Sequence, residues 1–288
     1  MNIISAIFCV VLFSLTAPFT RIAALETNAE TIILLRIIGA AIVCLIAVLV
    51  DRWIPPKKIW IYILYTSLGS VIGFNALMAF GLREVPSAHA AVALAVLPVI
   101  TAIYSVVRDR MNPCIRFWLF AVMGTSFAFG FFFSINVNHF LLGDFLLLLS
   151  VFSAAFGYVE GGRLSRDYGG RKIMSWAVLV ASPISILIAT IYFSSNHQTL
   201  LNLSMKGWFS ISYLALISQS LGMFLWFRVL SIGPMEKIAL VQLLQPFLTL
   251  FASILLLRET VLPMTWIIAL LVAICIFGSN KSRNKSFN

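Results

Sequence analysis

The feature that most restricts this chain is a succession of uncharged apolar runs, each long enough to cross a bilayer, punctuated by short clusters of charge, proline and glycine. About 20 apolar residues wound as an α-helix match the roughly 30 Å hydrocarbon core, where a backbone must satisfy its own hydrogen bonds. Ten such segments can be marked. They run from Asn2 to Thr20, Thr31 to Val50, Trp60 to Phe80, Ala88 to Val107, Phe117 to Ile135, Gly143 to Gly161, Ile173 to Phe193, Trp208 to Phe227, Ile238 to Leu257 and Pro263 to Gly278. Little chain remains for a separate soluble domain. With 61% hydrophobic and 10% charged residues, against about 25% charged in a soluble domain, a water-soluble fold is excluded. Segment 1 begins at Asn2 with no basic stretch ahead of it and many segments behind it, which predicts a retained helix and not a cleaved signal.

The net charge of +10 does not form a basic stripe interleaved with aromatics, so no nucleic-acid partner is expected. An even number of segments puts both termini on one side. The loops of that side carry Arg52, Lys57, Lys58, Arg108, Arg110, Arg116, Arg163, Arg166, Arg171, Lys172, Arg228, Lys237, Lys281, Arg283 and Lys285, which is 15 of the 20 Lys and Arg residues. The other side has Arg21, Arg83, Lys206 and Arg258, and Arg36 lies inside segment 2. By the positive-inside rule both termini are cytoplasmic, in a multi-pass protein of a bacterial-type plasma (inner) membrane. Cys9, Cys44, Cys114 and Cys275 show neither pairing nor metal-ligand spacing, and no metal or cofactor is expected.

Shifting the chain by 148 residues lays segment 4 on segment 9, so that Pro86, Ala91, Pro98, Thr101 and Ser105 fall on Pro234, Ala239, Pro246, Thr249 and Ser253. Five segments separate the copies, and an odd number inverts the second copy. The expected fold is an all-α polytopic membrane protein of ten transmembrane helices in two inverted five-helix repeats, 1–138 and 139–288, the second ending in a short basic tail.

Several residues mark a known pattern: Gly143-Asp144 opening the second half, Pro98 and Pro246, Arg108-Asp109 and Arg258-Glu259 at segment ends, Arg36, and the entry from Pro86 to Ala91. In these the chain resembles the drug/metabolite transporter superfamily, in particular its ten-span EamA-like branch. Asp109 stands where Glu is more usual, and the repeat sets Arg258 opposite Arg110 and not Arg108. The resemblance implies a secondary carrier exporting amino acids or related small metabolites. Segment 1 lacks the embedded Glu of the superfamily's small multidrug members, which disfavours export of cationic drugs by their mechanism.

No Asp or Glu lies at a segment centre. Glu160, at the cytoplasmic end of segment 6, comes nearest, so a central acidic coupling site is not expected. Gln242, Gln245, Thr249 and Ser253 are spaced 3, 4 and 4 and share one helical face, suited to a watery cavity or to interhelical hydrogen bonding. Their counterparts of Gln242 and Gln245 in the first half are Leu94 and Leu97. Pro246 frees a carbonyl one turn earlier, and Pro98 and Pro246 are candidate hinges. Gln219 has Ser212 and Trp226 seven residues to either side; it reads equally as a site residue or as helix glue, with Trp226 in an interfacial aromatic belt. Asn75 and Tyr158 sit at compatible depth, whereas Ser14 is expected to bond its own backbone. Arg36 either grips a substrate carboxylate or snorkels to the interface. His89 reads as a boundary residue, and the pairs Gly69, Gly73 and Gly157, Gly161 as close helix packing.

There is no Gly-rich loop ending in Lys and Ser or Thr, no Gly-x-Ser-x-Gly and no His-Glu-x-x-His, so neither ATP hydrolysis nor another enzyme activity is expected. The partners expected are a small-molecule substrate and the lipid bilayer. Two alternatives stand beside the exporter. Uptake or exchange of a nucleotide derivative or nucleotide sugar would call for two or more cavity-facing cations, and a membrane scaffold would have no continuous polar cavity.

Overall fold

A computed structural model describes residues 3–109, 142–195, 202–232 and 244–271, with isolated helical positions at 115, 118, 119, 122, 123, 126, 127, 242 and 274. The described residues form helices and connecting turns, with no strand among them. Among the described residues seven helices are long and apolar enough to cross a membrane: α1 (Ile4–Glu26), α2 (Ala29–Asp51), α3 (Lys57–Glu84), α4 (Ser87–Arg108), α5 (Leu142–Tyr168), α6 (Gly170–Ser194) and α7 (Met205–Ile232). The shorter α8 (Gln245–Leu257) follows, and residues 263–271 are helical. These correspond to segments 1–4, 6–8, the second part of 9 and the start of 10. Segment 5 lies largely outside the described residues. So do the first part of segment 9 with Pro234, Lys237 and Ala239, the end of segment 10, Arg110, Arg116, Cys114, Cys275, and the tail with Lys281, Arg283 and Lys285.

Several helices run past their hydropathic segments. α1 continues beyond Thr20 to Glu26, so Arg21 is helical and its Nη1 donates to the Leu82 and Arg83 carbonyls at 2.6 and 2.8 Å. α5 continues beyond Gly161 to Tyr168, which leaves Glu160 two turns inside the helix and sets Arg163 and Arg166 on its last turns. α7 likewise carries Arg228 within its helix and not in a loop. Hydropathy marks where a helix crosses hydrocarbon, but the backbone stays helical into the polar zone, where long cationic side chains reach water.

Connections as short as Thr27-Asn28, Val85-Pro86 and Gly169 force antiparallel neighbours. One end of the bundle therefore gathers Glu26, Glu84, Ser87, Asp144, Ser204 and Glu259, and the opposite end gathers Asp51, Arg108 and Arg171. α2 packs on α6, α3 and α4 pack on α5, and α8 packs on α4. The polarity is that of a membrane protein. Ile42, Leu45, Ile46 and Leu49 on α2 and Ile184, Leu187, Ile188 and Ile191 on α6 form exposed apolar faces, while Ser, Thr, Asn, Gln and Arg side chains lie inside. α3 and α5 meet backbone to backbone: a Cβ on Gly69 would lie 2.6 Å from the Gly157 nitrogen. The reading of these glycines as packing residues agrees with that geometry.

The helices are irregular at matching depth. α1 breaks at Leu15, because Pro18 has no N–H to donate to the Ser14 carbonyl. α3 widens into π-helical turns over Ser67–Gly73 and α7 over Tyr213–Gly222. Shifted by 148 residues, the first π stretch falls on 215–221, inside the second. α4 contains Pro98, and α8 takes Pro246 in its first turn, where a missing N–H costs least. Side chains reach the loosened carbonyls: Ser153 Oγ donates to Gly69 O at 2.9 Å and Ser220 Oγ to Ala215 O at 2.8 Å.

Candidate functional site

Irregular backbone within a membrane is tolerated where it is buried in protein or lines a cavity. Here the irregular stretches of α1, α3, α4, α7 and α8 converge on one cavity of about 20 Å³, roughly the room for a single ordered water. α1 contributes Phe13 and Thr16, α2 Arg36, and α3 Ser70 and Phe74; α4 contributes Leu94 and Leu97, α5 Tyr158, α7 Ser218, Gln219 and Met223, and α8 Gln245. Ser70 and Ser218 are related by the 148-residue shift. Each π stretch thus delivers the same hydroxyl to the same place, although Leu97 faces its counterpart Gln245.

Arg36 dominates the chemistry. Its side chain is 3% exposed, its Nη2 donates to Ser218 Oγ at 3.1 Å, and Ser218 Oγ shares a 2.9 Å hydrogen bond with Thr16 Oγ1. Among the described residues Nε has no acceptor, and no carboxylate pairs with the guanidinium. Beside it Gln219 Oε1 accepts from Asn75 Nδ2 at 2.7 Å, and Asn75 Nδ2 also reaches Val71 O at 2.6 Å. Gln219 Nε2 and, close by, Trp226 Nε1 are buried donors without partners among the described residues. A fixed positive charge with surplus N–H groups suits a ligand that supplies oxygen acceptors and negative charge.

The expected residues separate clearly. Arg36, Gln219, Gln245 and Tyr158 line the cavity. Asn75 stands one layer behind, holding Gln219. Trp226 is 2% exposed and makes an edge contact with Phe13 at 5.9 Å and a tilted one with Tyr158 at 6.3 Å, so it braces the cavity wall and is no part of an aromatic belt. Arg36 does not snorkel, because its guanidinium is enclosed by α1 and α7. Thr249 is buried with its hydroxyl unpartnered among the described residues, Gln242 is helical and half-buried, and neither borders the cavity. Ser253 belongs to the far end of α8. Ser212 is exposed and faces away from Gln219, because the wider π turns rotate the face that seven-residue spacing assumes. Ser14 bonds Val11 O at 2.7 Å, as expected of a self-satisfied hydroxyl. His89 is buried, with Nδ1 2.7 Å from the Asp144 carboxylate, and lies away from the cavity. Thr16, Ser218 and Ser70 were missed as site residues, since membrane hydroxyls usually satisfy their own helix. The repeat register pairing Ser70 with Ser218 was the available signal.

Polar contacts tie the helices together at each end of the bundle. At one end Glu259 accepts from Ser87 N (3.0 Å), Ser87 Oγ (2.9 Å) and Ala88 N (3.2 Å), capping α4, while Ser87 Oγ and Ser253 Oγ lie 2.7 Å apart. Glu26 accepts from Ser204 Oγ at 2.7 Å. At the opposite end Glu160 accepts from Arg108 Nε at 2.8 Å and Tyr104 OH at 3.2 Å beside a vestibule of about 380 Å³, and Arg171 pairs with Asp51. The Arg-acid pairs at the ends of α4 and α8 thus do different work. Arg108 ties α4 to α5, whereas Arg258 takes a left-handed conformation (φ 54°) that turns Glu259 toward α4.

The model of the EamA-like transporter family matches residues 1–133 and again 141–281. An uncharacterized transporter of Bacillus subtilis (strain 168), YdeK, is 31% identical over 256 residues, covering 88% of this chain and 87% of its own. A solved crystal structure superposes with a TM-score of 0.65 over 97% of both chains at 14% identity, a likeness of fold alone. The chain belongs to the EamA-like transporter family.

Proposed function

We propose that this membrane transporter is a secondary carrier that exports amino acids or closely related carboxylate-bearing metabolites by alternating access. Its ten transmembrane helices form two inverted repeats in the inner membrane, with both termini cytoplasmic. The coincidence of the two π stretches under the 148-residue shift supports the repeat. Among the described residues, Arg52, Lys57, Lys58, Arg108, Arg163, Arg166, Arg171, Lys172 and Arg228 at one end outweigh Arg21, Arg83, Lys206 and Arg258 at the other, which supports the orientation.

The observation that carries the reading is the buried Arg36 guanidinium at the meeting point of the irregular helices, without a carboxylate from the described residues. An unpaired buried charge costs several kcal/mol in effective terms, so its retention is best explained by a substrate that compensates it. A carboxylate would take the Arg36 fork and the Gln219 amide, with Gln245, Tyr158 and Ser218 meeting the remaining polar groups. With Arg36 as the single cation among the described residues that line the cavity, a nucleotide sugar fits less well than a monocarboxylate. At about 20 Å³ the cavity is too narrow for such a substrate, so helices must part to admit it. Pro98, Pro246 and the break in α1 supply the loosened backbone for that motion.

The test is transport in proteoliposomes with a panel of labelled amino acids and other small carboxylates under imposed gradients. Movement of at least one, abolished by Arg36→Gln and partly kept by Arg36→Lys, is the expected result. If no carboxylate moves in either direction under any gradient, the carrier assignment for this substrate class fails.

A further inference from the structure

Where α6 begins, the end of the bundle that carries Arg108 and Arg171 has a second cavity of about 600 Å³, remote from the central site. Its walls combine two chemistries. One is cationic: Arg171, Lys172 and Arg228. Arg171 is neutralised by Asp51, whereas Lys172 and Arg228 have no acidic partner among the described residues. Arg228 is exposed, and Lys172 Nζ sits 5.6 Å from the Trp53 ring centre. The first-turn N–H groups of α6 lie at the same place and add positive potential. The other wall is aliphatic: Phe224, Leu225 and Ile232 line it, and Leu221, Leu225, Arg228 and Ile232, spaced 4, 3 and 4, put Arg228 on an apolar face of α7. Leu221 and Ile232 on that face are 48% and 62% exposed.

The depth of this cavity is set by aromatics. Trp53 contacts Tyr168 at 5.4 Å, Trp176 Nε1 donates to Trp53 O at 3.1 Å, and Trp60 meets Trp176 edge-on at 5.3 Å, a cluster of the type that sits at headgroup level. A groove at that level with uncompensated cations at its mouth and an exposed aliphatic stripe leading into the hydrocarbon has the profile of one membrane constituent.

We propose that this groove binds an acidic phospholipid, its phosphodiester between Lys172 and Arg228 and an acyl chain along Leu225 and Leu221. A free phosphate would use the cations but leave the aliphatic wall without a role. The site bears on α7, the helix that carries Ser218, Gln219 and Trp226, but it does not depend on the transport assignment.

The test is native mass spectrometry of the detergent-purified chain equilibrated with equal amounts of phosphatidylglycerol and phosphatidylcholine of identical acyl chains. One phosphatidylglycerol retained at least fivefold in excess over phosphatidylcholine is expected. The excess should fall to near parity in Lys172→Gln/Arg228→Gln, weaken in Leu221→Gln/Leu225→Gln, and resist millimolar inorganic phosphate. Equal retention of the two lipids by the wild-type chain overturns the proposal. So does full displacement by phosphate, or an unchanged preference in the folded cation variant, with folding checked by helical circular dichroism. Should the double variant not fold, the exposed single change Arg228→Gln decides in its place, with at least a twofold loss of preference expected.

Discussion

At the scale of single residues, the site is an imbalance of donors over acceptors around Arg36. A charged hydrogen bond contributes about 1.5–3 kcal/mol, so each cavity donor that meets the substrate carries roughly tenfold to a hundredfold in affinity. Gln219→Leu is expected to raise the half-saturating substrate concentration by about tenfold, and Gln245→Leu to do so by less, at normal membrane expression; filter assays on vesicles would show both. Unchanged transport in Gln219→Leu would remove that side chain from the site. Arg36, Gln219, Gln245 and Tyr158 were legible in the sequence because a large polar side chain in an apolar run is costly without a purpose. Thr16 and Ser218 were not legible, since hydroxyls cost little there and only the packing of α1 against α7 brings them together. Thr249 stands apart from the cavity lining. Its helical spacing from Gln245 is right, but the cavity ends before the next turn of α8.

At the scale of elements, function and packing are joined at the π stretches and glycines. The close approach of α3 and α5 leaves no room at Gly157, where an added Cβ would press on the Ser70 nitrogen, whereas at Gly162 the nearest neighbour would be 3.6 Å away on Leu230. Gly157→Ala should therefore destabilise the protein by about 1–3 kcal/mol, since a backbone contact cannot yield as a side chain can. Gly162→Ala should leave the unfolding midpoint within experimental error, which a thermal-shift series in detergent would check. Equal midpoints for the two variants would contradict the described packing. Periodicity located most helices but not their ends or their phase. Apolar length marks the hydrocarbon, whereas α5 and α7 remain helical beyond it, and a π stretch rotates every later residue relative to an ideal helix, which is why Ser212 and Gln219 part company.

At the scale of the whole molecule, alternating access requires that the contacts closing each end can open. The Ser87 and Ser253 hydroxyls, 2.7 Å apart, bridge α4 and α8 beside the Glu259 cap, so cysteines placed at both positions should cross-link under mild oxidation. Transport in Ser87→Cys/Ser253→Cys should then fall at least tenfold and return on reduction, with the wild type indifferent to both treatments. Full activity in the oxidised, demonstrably cross-linked protein would show that this end need not open. The proposed orientation and pseudosymmetry rest on loop charge and on the 148-residue register, because both properties are expressed in composition and spacing. The contact between Glu259 and Ser87 was not legible there, since the two residues are far apart in sequence and each was marked only within its own helix-end motif.

If Arg36 meets a substrate carboxylate, neutralising that carboxylate removes the partner of the guanidinium. For an amino acid found to be transported, competition by the unlabelled acid should be compared with competition by its carboxamide, in wild type and in Arg36→Gln. The wild-type chain is expected to favour the acid by tenfold or more, and Arg36→Gln, whose transport is abolished and whose competition is therefore read as residual binding of the labelled acid, to favour neither. Equal competition by acid and amide in the wild type, or an undiminished preference in Arg36→Gln, would contradict the pairing of Arg36 with the carboxylate.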